Sequence, residues 1–148
     1  MTPTSTGTVA QDNATLARRI YTLFSNDDFD GVLALAAEDV EIVFVPAGQT
    51  FRGHEGFMQF MQGFKSAFPD IRLTVTNQVA TEDHVVTEFI ASGTHTGPLL
   101  TPAGEIPATG KSAEWPVCEV WETRNGKLIS IHNYQDLATM LRQLGLIS

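Results

Sequence analysis

A single cysteine, Cys118, stands among 148 residues, so no internal disulfide can form and no cysteine-built zinc site is available. Basic residues are scarce as well. Nine Lys and Arg against seventeen Asp and Glu leave a formal net charge of -8, and an acidic domain repels phosphate backbones and anionic lipid heads. Nucleic acid and membrane surfaces are therefore not expected partners. The longest apolar run, around Val40 to Pro46, falls far short of a membrane span. The opening stretch MTPTSTGTVAQDN has no basic region followed by an apolar one, so it does not read as a signal peptide and the expected compartment is the cytoplasm. No GxGxxG, GxxxxGKS/T or GxSxG motif occurs, which removes support for dinucleotide, P-loop and α/β-hydrolase chemistry. The four histidines show no HxxxH or HxH spacing, and no metal site is expected.

What is present describes one domain. Apolar residues make up 43% of the chain, enough for a real core at this length. Residues 1–12 read as a disordered tail of Thr, Ser and Gly, and residues 13–148 as the folded unit. Leu16, Ala17, Ile20, Leu23 and Phe24 have helical spacing over 13–25. A short helix over 29–37, a strand over 40–45 that stops at Pro46, and a short strand over 50–53 follow. A third helix, 56–68, carries the Phe57, Phe60, Phe64, Phe68 stripe and ends before Pro69. Then the period changes to two: strands are predicted over 71–80, 85–96, 112–123 and 127–135, with Asn125-Gly126 as the turn of the last hairpin. A last helix over 137–144 closes the chain. Helices before an antiparallel sheet make the class α+β, and a strongly curved sheet over those helices would form a cone with an open mouth.

The last strand holds the most chemistry. Alternation from Leu128 puts Ser130, His132, Tyr134 and Asp136 on its face, and Ile129, Ile131, Asn133 and Gln135 on the other. The first face is amphipathic, and a small ligand in the cone could touch His132, Tyr134 and Asp136 together. An imidazole titrates near neutrality, and a carboxylate inside an apolar cone has its charged form disfavoured. A solvated outer face is the competing reading of the same residues. Asp136 also precedes Leu137-Ala138-Thr139-Met140, so it can equally be the cap of the last helix. Glu119 shares a face with Trp115, Val117 and Trp121, which suggests a pocket carboxylate or an edge in solvent. His95, in Gly93-Thr94-His95-Thr96-Gly97, is a pocket candidate or a loop histidine holding backbone. Phe57 and Phe60 are core that can also line a pocket wall. Cys118 falls on the opposite face from Glu119 and reads as filler, His54 and Glu55 as helix-start residues, His84 as an exposed turn residue. Gly97 to Gly110 reads as a rim or lid.

Several segments together resemble the SnoaL-like polyketide cyclase (ester cyclase) family of the NTF2-like superfamily. They are Ala67-Phe68-Pro69-Asp70-Ile71-Arg72; Gly93-Thr94-His95-Thr96-Gly97-Pro98-Leu99; Ile106-Pro107-Ala108-Thr109-Gly110-Lys111; Asn125-Gly126-Lys127-Leu128; His132-Asn133-Tyr134-Gln135-Asp136; and the tail Met140 to Leu146. The resemblance covers about residues 13–147. It implies an NTF2-like cone: three N-terminal helices packed on a strongly curved, mainly antiparallel sheet with a short C-terminal helix. It further implies a homodimer that binds a hydrophobic small molecule without metal or organic cofactor. By position it makes Asp136 the general acid/base of an aldol-type closure, with His132 tuning it and Tyr134, His95, Glu119, Trp115, Trp121, Phe57 and Phe60 around the substrate. Many members carry Glu and Trp where Ser130 and His132 stand, so an aromatic polyketide is not implied for this chain. The expectation is a cyclase or isomerase acting on an apolar carbonyl compound. The alternatives are a non-catalytic binding module and a scaffold with a collapsed cone.

Overall fold

A computed structural model describes residues 8–148. Helix α1 (Val9–Ser25) begins ahead of the expected Asn13. Thr8 accepts from the Gln11 N–H, and the Gln11 side chain accepts from the Thr8 N–H. This capping box satisfies two of the free donors at the helix start. Residues 8–12, read as tail, therefore join the helix, and residues 1–7 lie outside the described part. Asp28 caps α2 (Phe29–Ala34) through the Gly31 N–H at 2.9 Å. The chain then turns straight into β1 (Ala36–Phe44), which starts earlier than expected, and pairs back through β2 (Gln49–Arg52). Helix α3 (Gly53–Ala67) stops at Phe68, before Pro69, as the proline rule requires.

Strands β3 (Arg72–Ala80), β4 (His84–Thr94), β7 (Ser112–Arg124) and β8 (Lys127–Gln135) are the four long strands of the sheet. The expected rim segment contains a small hairpin, β5 (Leu99–Thr101) with β6 (Gly104–Ile106), and α4 (Leu137–Gln143) ends the fold. Strand order is β2-β1-β8-β7-β4-β3. All neighbours run antiparallel except β1 and β8, which are parallel. Asn125 and Gly126 take φ of 53° and 74° in the β7–β8 turn, the positive values that an Asn-Gly hairpin supplies. The class is α+β and the architecture a cone of helices on a curved, mainly antiparallel sheet, as expected.

Beyond β4 the chain crosses the end of α3 at close range. Gly97 N–H donates to the Ala67 carbonyl at 3.2 Å, and a Cβ there would lie 1.9 Å from the Ser66 carbonyl oxygen. Only glycine fits, so this contact fixes where the β5–β6 hairpin hangs.

The inner face of the sheet meets α1 and α3. Phe89 and Ala91 of β4, Trp115, Val117 and Trp121 of β7 and Ile131 of β8 are buried against Ile20, Tyr21, Phe57 and Met61. β8 does not keep one phase along its length. Glu122 pairs with Ser130 while the next residue, Thr123, pairs with Leu128, so Ile129 is an extra residue in the ladder. The bulge inverts the alternation, and both Leu128 and Ile131 end up buried. No helix among the described residues is long and apolar enough to cross a membrane.

Candidate functional site

The cone encloses a cavity of about 70 Å³, counted as space open to the centre of a water molecule. Its deep end lies among Val32, Phe57, Trp121 and Ile131, all nearly without exposure. Phe24, Phe60, Phe64, Leu73 and Gln135 also line it but are only partly buried, and they mark the rim. Phe60 and Phe64 meet edge-on at 5.6 Å on that rim. The wall is thus almost wholly apolar, which strengthens any electrostatic interaction made inside it.

One carboxylate sits in this wall. Glu119, 5% exposed, lies in the middle of β7, facing Thr87 on β4 and Asn133 on β8 in the sheet register. Three donors reach it. Tyr21 Oη donates to Oε1 at 2.7 Å, Trp121 Nε1 donates to the same oxygen at 3.1 Å, and Asn133 Nδ2 donates to Oε2 at 2.6 Å. Burial pushes the carboxyl above the ordinary glutamate value, while these three hydrogen bonds pull it back toward ionisation. Burial, with the Glu119 charge second, raises the Tyr21 phenol well above the usual tyrosine value. The Tyr21 ring is held 5.2 Å from Trp121 and 5.4 Å from Phe89, so its hydroxyl is aimed by packing. Oε1 is filled by two donors. Oε2 has one, which leaves it a position to accept a proton.

Two amides flank the carboxylate on the same face of β8. A carboxylate only accepts, so Asn133 turns its NH2 to Glu119, and its Oδ1 is buried without a partner. An indole only donates, so Gln135 turns its Oε1 to Trp115 Nε1 at 2.9 Å. The Gln135 NH2 then has no partner among the described residues.

The expected constellation on β8 is not brought together inside. His132 and Tyr134 lie exposed on the outer face of the sheet, because the bulge at Ile129 places Ile131, Asn133 and Gln135 inward instead. Asp136 is exposed and caps α4. It accepts from Thr139 N–H at 3.1 Å and Thr139 Oγ1 at 2.7 Å. Those bonds hold its carboxyl below the ordinary aspartate value. Of its two open readings, the structure shows the cap. His95 is fully buried yet does not line the cavity. Its Nδ1 accepts the Thr109 N–H at 3.2 Å and pairs with the Thr109 hydroxyl at 3.0 Å. Its ring stacks 5.5 Å from Phe68 and ties down the 97–110 segment, and burial depresses its pKa. Glu119, Trp115, Trp121, Phe57 and Phe60 do line the cavity. Cys118 is on the outer face, half-buried; His84 is exposed beside Asp83; His54 Nε2 meets the Ala36 carbonyl. Among the described residues no three His, Cys, Asp or Glu side chains gather to hold a metal ion.

Sequence reading missed Tyr21, Asn133 and Gln135. Tyr21 follows Ala17 by one helical repeat, so the apolar face of α1 already contained it. Asn133 and Gln135 were on the face set against the one chosen.

A family model described as SnoaL-like polyketide cyclase matches residues 14–144. The chain belongs to the SnoaL-like polyketide cyclase family. Solved structures agree on the fold. A protein of Jannaschia sp. CCS1, described as a candidate SnoaL-like polyketide cyclase, is 18% identical over 99% of this chain and 100% of its own, with a TM-score of 0.85. IdmH, described as a candidate polyketide cyclase of Streptomyces antibioticus, is 28% identical over 89% of this chain and 97% of its own, at TM-score 0.76. TsrD of Streptomyces laurentii is 21% identical over 93% and 97%, at 0.78. No curated protein matches the sequence.

Proposed function

We propose that this member of the SnoaL-like family is a cyclase or isomerase working by acid–base chemistry on a hydrophobic ketone held in the cone, with Glu119 as the base. The observation that carries the reading is a buried carboxylate with a raised pKa and a free acceptor position on Oε2, set in an apolar cavity. Glu119 Oε2 would take a proton from the carbon α to the carbonyl. The resulting enolate oxygen would be met by the NH2 of Gln135, the donor end of an amide whose oxygen Trp115 holds. The spacing suits this. Reacting atoms at about 3–3.5 Å, a C–C=O span of about 2.4 Å and an N–H donor at about 2.9 Å reach roughly 8.5 Å in line, and less when bent. Glu119 and Gln135 are diagonal neighbours in the register, with backbone positions about 7–8 Å apart, so side chains of this length can bracket such a span. In a cyclisation the enolate carbon bonds to a second carbonyl carbon, and Glu119, now protonated, returns its proton to the new alkoxide. In an isomerisation the proton returns to a different carbon.

The test is exchange of the α-protons of an aryl ketone in D2O, followed by NMR. The protein should accelerate exchange, and Glu119→Gln should remove the acceleration. Undiminished exchange in that variant would end the role of Glu119. A second reading, a binding protein without chemistry, draws on the three donors around Glu119, since an inert buried carboxylate also needs them. It predicts that the ketone binds and is recovered without deuterium. We further propose the homodimer that the family resemblance implies, formed through the outer sheet face where Pro116, Cys118, Val120 and Tyr134 lie side by side.

A further inference from the structure

Asn133 is 2% exposed, lines the cavity, and holds a buried carbonyl oxygen with no partner. Buried acceptors are nearly always satisfied, because an unmet one keeps its full desolvation cost. While Glu119 is ionised its orientation is not free either: turning the amide over would aim Oδ1 at the carboxylate, oxygen against oxygen. Gln135, two residues on, on the same face and only partly buried, offers an NH2 that no described residue engages while Trp115 engages its oxygen. Residues i and i+2 of a strand are separated by about 7 Å. Both residues line the cavity, Asn133 buried and Gln135 partly buried, so along one strand its wall carries an unmet acceptor nearer the core and a donor nearer the rim.

From this pairing we infer that Asn133 is a specificity-determining residue: the cone selects ketones that carry a hydroxyl or enol about 7 Å from the carbonyl oxygen, hydroxyl inward on Asn133 Oδ1 and carbonyl outward on the Gln135 NH2. The inference rests on the cavity being the substrate site, as proposed above, and goes further in naming the group the substrate must bear. Ketones of the same shape that lack the hydroxyl leave Oδ1 unmet and are disfavoured. A hydrophobic slot without such an acceptor would discriminate far less between a hydroxyl and a methyl group.

The experiment is an NMR titration with 4-hydroxyacetophenone and its isostere 4-methylacetophenone, read on the indole N–H signals of Trp115 and Trp121. Both indoles are hydrogen-bonded to polar groups of the cavity, so they report occupancy directly. The hydroxylated ketone should bind the natural protein about 10- to 100-fold more tightly. That ratio should collapse to about 3-fold or less in Asn133→Leu or, should leucine unsettle the fold, in Asn133→Ser. Gln135→Leu should weaken both probes alike. Equal affinities in the natural protein, with both indole signals shifting, would overturn the hydroxyl requirement and leave the cavity as the site. A ratio that survives in the Asn133 variants would overturn Asn133 as its reader. If neither probe moves either indole signal, the cavity reading falls, and this inference with it.

Discussion

Glu119 stands in the middle of β7 and Asp136 just past the end of the neighbouring β8, and the protein treats these two carboxylates in opposite ways. Asp136 stands in solvent, takes two hydrogen bonds from one threonine at the start of α4, and is held below its ordinary pKa. Glu119 lies inside the cone, takes three hydrogen bonds from three separate elements, and is still pushed up by burial. The outer carboxylate is stabilised as an anion. The inner one has its charged form disfavoured by burial and supported by its three donors, the kind of opposed tuning from which a general base is made. Surroundings, more than residue type, separate a cap from a candidate base.

The sharpest way to break this comparison is Glu119→Gln. If the inner carboxylate is the base, turnover or α-proton exchange should fall by about 10²–10⁴-fold. The same variant should gain stability at neutral pH. The folded pKa of Glu119 is raised, so its favourable contribution is complete below the unfolded pKa and is lost as pH rises through the folded value. Glutamine carries no such loss. The Asn133 amide can also turn over to pair its orphaned oxygen with the new NH2. Thermal melts should put the variant about 3 °C above the natural protein in mild base, the shift that about 1 kcal/mol gives at this size, and the gap should close on acidification. Loss of activity together with gain of stability would mark a site strained for function. A variant that loses both would speak for a merely structural glutamate.

The elements were legible because each has a local cause. The Asn125-Gly126 turn, the stop at Pro69, the two-residue period of β7 and the Phe stripe of α3 all appear where local chemistry places them. Trp115, Glu119 and Trp121 share a face that the alternation of β7 already showed, and that face is the cavity wall. β8 was misread for one reason. Counting by twos from the buried Leu128 puts His132 and Tyr134 inside, but the extra residue Ile129 flips the phase before Ile131. A bulge is a property of the pairing between two strands, so the sequence of one strand does not reveal it. Tyr21 was missed for a related reason. It belongs to the apolar stripe of α1, and its hydroxyl gains a meaning only from a residue 98 positions away.

Tyr21→Phe sharpens the inner half of the comparison. Loss of one donor to a buried carboxylate should cost about 1.5–3 kcal/mol of stability, read by denaturant unfolding. It should also raise the Glu119 pKa further, because a hydrogen bond that favours the ionised form is gone. The acid limb of the pH–rate profile would then move to higher pH, with turnover falling most on that limb. A profile unmoved by this change would show that Tyr21 does not tune the base. The outer face answers differently. Tyr134→Glu places a charge among Pro116, Cys118 and Val120, and, on the proposed dimer, sedimentation should show dimer for the natural protein and monomer for the variant. Exchange in the cavity should stay within about 2-fold, since Tyr134 faces away from it. Loss of exchange alongside the dimer would mean that assembly shapes the cone.

The smallest effect belongs to Asp136, and it completes the contrast. Asn also caps a helix, so Asp136→Asn should keep α4 folded and leave exchange within about 2-fold. Its stability difference from the natural protein should be pH-dependent in the sense opposite to that of Glu119→Gln. The folded pKa of Asp136 is depressed, so the charge contributes above the unfolded value and that contribution disappears as pH falls through the folded one. Melts run from neutral pH down through the carboxylate range should therefore start with the natural protein slightly ahead and end with the two superimposed. Asp136→Ala, which removes the acceptor for both the Thr139 N–H and hydroxyl, should fall below both at neutral pH. Were Asp136→Asn instead to abolish exchange while its melts followed this course, the outer carboxylate would be the base and the buried one only its scaffold.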